Sequence, residues 1–136
     1  MKATQKLHDL GQSLWLDNIT RDLLNSDRLR HYIDDLSVTG LTSNPTIFDH
    51  AIKNSTDYDG AIREKLEQGK SGEELFFELA LEDLTRAADL FRPIYEQTCG
   101  VDGWVSPAPK IPKPQMSFTS RRWRPRLQLT QCPRAP

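Results

Sequence analysis

Acidic residues stop at Asp102: the 34 residues that follow contain no Asp and no Glu. That absence removes carboxylate acid–base chemistry and carboxylate metal ligation from the last quarter of the chain. Cysteine is nearly absent too. Cys99 and Cys132 stand far apart with no CxxC spacing, which argues against a disulfide framework or a zinc site and fits a reducing compartment. His8, His31 and His50 share no ligand spacing, so each reads as a surface or cap residue rather than a metal ligand. No apolar run approaches the roughly 18 residues of a membrane span, and the N-terminus lacks the apolar stretch of a signal peptide. A cytoplasmic protein is the expectation, with no membrane partner. Proline is scarce before residue 107, where only Pro45 and Pro93 occur. No internal repeat is evident.

The chain as a whole is close to neutral, at −1, and that balance conceals a split. Residues 1–102 carry a net charge of −8, and residues 103–136 carry +7. Seven of the nine prolines fall between Pro107 and Pro136. Pro107, Pro109, Pro112 and Pro114 would each remove a hydrogen-bond donor from a central strand. The run Arg121-Arg122-Trp123-Arg124-Pro125-Arg126 has neither a helical nor a strand period. Two regions are therefore expected: 1–106, a partial and only partly folded α/β unit, and 107–136, a low-complexity basic tail, disordered or translated out of frame. Trp123 among arginines can stack on a base while the arginines meet phosphate, so a non-catalytic nucleic-acid-binding fragment is the alternative function. A short Arg/Pro tail produces such electrostatics non-specifically, which ranks that partner second.

The first region alternates helix and strand. Ala3–Leu10 reads as a helix stopped by Gly11, and Ser13–Leu16 as a buried strand with Trp15 in the core. Asn18–Leu24 and Asp27–Leu36 have helical spacing, with Ser26 a plausible N-cap. Val38–Ser43 reads as a second strand. Asn44-Pro45 opens a helix, with Asn at the cap and Pro at the first helical position, where its missing N–H costs nothing. Asp57–Leu66 and Glu73–Thr98 are helical, with Pro93 either kinking the second or marking its last turns, and Val101–Ser106 begins a third strand. Strands alternating with helices imply a parallel α/β architecture with right-handed crossovers.

In parallel α/β barrels the chemistry sits at the C-terminal ends of strands. Asp17 ends the first strand here. Thr42, Ser43 and Asn44 end the second. A carboxylate, an amide and two hydroxyls at one mouth suit a polyhydroxylated substrate: amide and hydroxyls exchange hydrogen bonds with it, and the carboxylate can shuttle a proton. Each has a plainer reading. Asp17 and Asn44 are both natural helix caps, and Thr42 and Ser43 ordinary polar residues at a strand end.

Three segments carry a resemblance: Leu10-Gly11-Gln12-Ser13-Leu14-Trp15-Leu16-Asp17-Asn18-Ile19, Thr39-Gly40-Leu41-Thr42-Ser43-Asn44-Pro45-Thr46-Ile47-Phe48, and Gly100-Val101-Asp102-Gly103-Trp104-Val105-Ser106. In order, from about Leu7 to Ser106, they resemble the transaldolase family. The resemblance implies the N-terminal part of a (β/α)8 (TIM) barrel, here truncated after about three strands; a whole barrel takes roughly 250 residues. It implies transfer of a dihydroxyacetone unit between sugar phosphates in the pentose phosphate pathway, with no cofactor. A fourth-strand lysine forms a Schiff base with the ketose, and a third-strand glutamate assists through a water. Asp17 matches the family's first-strand catalytic aspartate, Asn44 a second-strand asparagine that binds the donor unit, and Thr42 a neighbouring substrate-binding residue. The lysine and glutamate have no counterpart, since Pro107-Ala108-Pro109 follows Ser106. The expectation is a transaldolase by ancestry whose sequence, as it stands, is inactive.

Overall fold

Strand β1 (Leu14–Leu16), strand β2 (Val38–Thr42) and strand β3 (Trp104–Ser106) lie side by side in that order, all parallel. They belong to a computed structural model that describes residues 2–106. Helix α1 (Ala3–Asp9) precedes β1; α2 (Arg21–Asn25) and α3 (Arg28–Leu36) link β1 to β2; α4 (Pro45–Asn54), α5 (Asp59–Glu67) and α6 (Gly72–Gln97) link β2 to β3. The alternation read from the sequence is thus an α/β fold with a parallel three-stranded sheet. The Pro/Arg-rich stretch 107–136 lies outside the described residues.

Register decides which side chains meet the helices. Leu16 pairs with Leu41, and Leu41 with Val105. All three pack against one apolar cluster in which Leu23 and Leu24 of α2, Leu29 of α3, and Leu84 and Phe91 of α6 are buried. Fully burying a Leu or Phe side chain stabilises a fold by about 1.5–3 kcal/mol. This row is the main reason the helices sit on one face of the sheet. A second cluster, built on Phe48, Tyr58, Leu79 and Ala80, joins α4, α5 and α6. The α6 helix spans 26 residues and runs through Pro93 to Gln97. Beyond the turn that ends it, just ahead of β3, Gly103 adopts φ 83°, and a Cβ there would come within 2.4 Å of the Tyr95 backbone nitrogen.

Three local readings change. Ser26 does not cap α3; it terminates α2, and its hydroxyl donates to the Asp22 carbonyl at 2.7 Å. Asp27 precedes α3 in the left-handed region, at φ 56°. Trp15 is not in the core but 42% exposed, because alternation along β1 turns it away from Leu16 and the helices. The third strand starts at Trp104 rather than Val101, which is spent in the turn after α6. Among the described residues no helix is long and apolar enough to cross a membrane.

Candidate active site

One residue beyond the apolar row, the sheet presents polar groups. Since Leu16, Leu41 and Val105 face the helices, Asp17, Thr42 and Ser106 lie on the opposite face at the C-terminal edge, Thr42 being in register with Ser106. Asp17 is exposed, and Thr42 and Ser106 are half-buried. Two residues earlier on each strand the same alternation sets Trp15 beside Gly40, its Cα partner in β2. A Cβ on Gly40 would come within 2.5 Å of the Trp15 indole. Glycine therefore lets the indole lie flat on β2, as a floor beneath the Asp17 end of the sheet.

Asn44 does two things at once. Its Oδ1 accepts from the backbone N–H groups of Thr46 at 3.1 Å and Ile47 at 3.4 Å, capping α4 ahead of Pro45. With Oδ1 committed to the helix, Nδ2 is turned outward and donates to Asp17 Oδ2 at 3.4 Å. The plain cap reading and the site reading are thus the same geometry: the cap fixes which end of the amide faces the carboxylate.

Of the four residues expected at this mouth, the structure brings Asp17 and Asn44 into contact, with Thr42 on the same face of the sheet. Ser43 goes elsewhere. It is buried, and with Ile19, Pro45 and Phe48 it lines a cavity of only about 10 Å3 on the helix side. Period-two alternation is the reason, since neighbouring residues of a strand end cannot both face the mouth. Two residues went unnoticed in the sequence. Ser106 follows from its register with Thr42. The buried Asn18 Oδ1, next to Asp17, has no hydrogen-bond partner among the described residues.

The other edge of the sheet is also polar but self-contained. Asp102, 4% exposed, accepts from Ser13 Oγ at 2.6 Å and lies 3.0 Å from His8 Nε2, while its own N–H donates to Thr98 Oγ1 at 2.9 Å. Burial pushes the Asp102 carboxyl up, but the hydrogen bonds from Ser13 and His8 outweigh it and hold the group below its ordinary range. Ser13 and His8 both engage the carboxylate, so this Ser, His and Asp form a clasp between α1, β1 and β3 rather than a nucleophile with its base. Among the described residues no group of three or more His, Cys, Asp or Glu is arranged to hold a metal ion.

Residues 14–108 match the family model for transaldolase/fructose-6-phosphate aldolase. A transaldolase of Arthrobacter sp. (strain FB24) is 46% identical over 103 residues, which is 76% of this chain and 28% of that protein. A transaldolase of Saccharopolyspora erythraea is 46% identical over 102 residues, 75% of this chain and 27% of its own. One of Trichodesmium erythraeum (strain IMS101) is 39% identical over 101 residues, 74% of this chain and 27% of its own. The chain therefore spans little more than a quarter of the length of these relatives. With two thirds of its residues matched by the family model and its strand-end residues arranged as described, the chain belongs to the transaldolase/fructose-6-phosphate aldolase family.

Proposed function

We propose that residues 1–106 form the donor-binding half of a sugar-phosphate transaldolase site. Asn44 and Thr42 bind the hydroxyls and carbonyl of a dihydroxyacetone unit. Asp17 carries the proton that moves when the C–C bond breaks. The observation that carries this reading is the double engagement of Asn44: the helix takes its oxygen and leaves its NH2 group beside Asp17 at 3.4 Å. An amide so fixed donates to a substrate oxygen without losing rotamer entropy at binding, and a neighbouring exposed carboxylate exchanges protons with it. In a closed (β/α)8 barrel the remaining strands would enclose this mouth.

The imine step is assigned elsewhere. No acid follows Asp102, so this sequence has no third-strand glutamate beyond Ser106, and no lysine is matched to the fourth-strand nucleophile. The sequence as it stands binds a ketose phosphate weakly and does not turn it over. Borohydride treatment with fructose 6-phosphate tests this by mass spectrometry. No covalent adduct is expected, whereas a reduced imine on any lysine, or transfer of the three-carbon unit to an aldose phosphate, would contradict it. Binding itself is tested by calorimetry, with Asp17→Asn and Asn44→Ala as the variants expected to lose it.

A further inference from the structure

Asp17 and Asn44 sit on different elements, and their contact depends on how the start of α2 is held against the start of α4. One buried side chain touches both. Tyr58, fully buried just ahead of α5, accepts a hydrogen bond at 2.8 Å from the backbone N–H of Arg21, the first residue of α2. That N–H belongs to the set left without a partner inside its own helix. Arg21 follows Asp17 by four residues. On its other side the Tyr58 ring meets Phe48 edge to face, centroids 5.6 Å apart and planes at 88°. Phe48 follows Asn44 by four residues and is itself buried in α4.

Tyr58 is in turn held fast. Its hydroxyl donates to Asp83 Oδ2 at 2.8 Å, and Asp83 Oδ1 accepts from Arg21 Nε at 3.0 Å. The Arg21 guanidinium stacks 4.7 Å from the Tyr58 ring centre and reaches Glu82 at 2.9 Å. Burial, with the Asp83 carboxylate second, pushes the Tyr58 hydroxyl up, so it remains a donor to Asp83 while accepting from Arg21.

We infer that Tyr58 is a positioning residue for the candidate site: by gripping α2 through Arg21 N–H and α4 through Phe48, it sets the Asp17–Asn44 separation. The inference rests on the reading of those two residues as a sugar-phosphate site. A stabilising role alone would make Tyr58 one more core residue; a positioning role makes the mouth respond to its hydroxyl.

Tyr58→Phe in the full, isotope-labelled chain separates the two, since the ring and its contact with Phe48 remain and only the hydroxyl goes. The expected result is a displacement of the Asn44 side-chain amide signals and of the Asp17 carboxyl carbon signal. Ser13→Ala, which loosens the Asp102 clasp at the opposite end of the sheet and touches neither arm, leaves both signals in place. A folded Tyr58→Phe chain with both signals unmoved overturns the inference. Should that variant not fold, amide exchange in the unsubstituted chain decides: the Arg21 N–H exchanges at least about tenfold slower than in a free peptide if Tyr58 holds it, and at the free-peptide rate if the inference is wrong. Signals that respond to Tyr58→Phe but not to added fructose 6-phosphate would uphold the positioning and remove the sugar-phosphate reading.

Discussion

The two edges of the sheet carry similar chemistry and use it in opposite ways. At the N-terminal edge, Asp102 is buried and its carboxylate takes both Ser13 and His8. At the C-terminal edge, Asp17 is exposed, and the Asn44 amide reaches it at 3.4 Å. A carboxylate with short donors on both oxygens has little left to offer a ligand. One at the surface, with one long contact from a pre-oriented amide among the described residues, keeps most of its acceptor capacity. The comparison teaches that a polar cluster in this fold is a fastener where its members satisfy one another, and a candidate site where they do not.

The largest effect that sharpens this contrast comes from Asp102→Ala. It strands the Ser13 hydroxyl and His8 in a partly buried place and is expected to cost about 3 kcal/mol in denaturant unfolding. Gly40→Ala comes next, since the new methyl collides with the Trp15 indole and forces it off the sheet; about 2 kcal/mol is expected. Trp15→Ala in the same chain should recover most of that, and a cycle showing no coupling would break the account of the floor beneath Asp17. Ser13→Ala should cost about 1 kcal/mol near neutral pH. Its dependence on pH follows from the depressed Asp102 carboxyl. Stability from that group is present above the unfolded pKa of about 3.9 and is lost as pH falls through the lower folded value. The gap between parent and Ser13→Ala should therefore close as acid is added; a gap independent of pH would show that Ser13 does not hold Asp102 down. The smallest effect on stability belongs to Asp17→Asn, within about 0.5 kcal/mol, because the side chain is exposed and loosely held. A loss as large as that of Asp102→Ala would erase the distinction between the two edges.

Much of this was legible in the sequence, for identifiable reasons. Strand-end residues such as Asp17 and Thr42 follow from apolar runs that stop, and the Asn44-Pro45 cap follows from residue types whose hydrogen bonds are local. The direction of Ser43 was also within reach, since alternation places it opposite Thr42. Contacts between distant residues were not. His8 meets Asp102 across 94 residues and Arg21 meets Tyr58 across 37, and nothing in local spacing pairs them. Trp15 misled because an aromatic in a short apolar strand looks like core. What exposes it is Gly40, whose missing side chain makes room for the indole on the face away from the helices.

The central claim is that the C-terminal edge, and not the N-terminal one, receives a sugar phosphate. Its most direct test is a fructose 6-phosphate titration of the labelled chain followed by NMR. The account predicts saturable shifts at Asp17, Thr42 and the Asn44 side-chain amide, with Ser13, His8 and Asp102 unmoved. Shifts confined to Ser13, His8 and Asp102, or saturable binding that survives Asp17→Asn and Asn44→Ala unchanged, would contradict it.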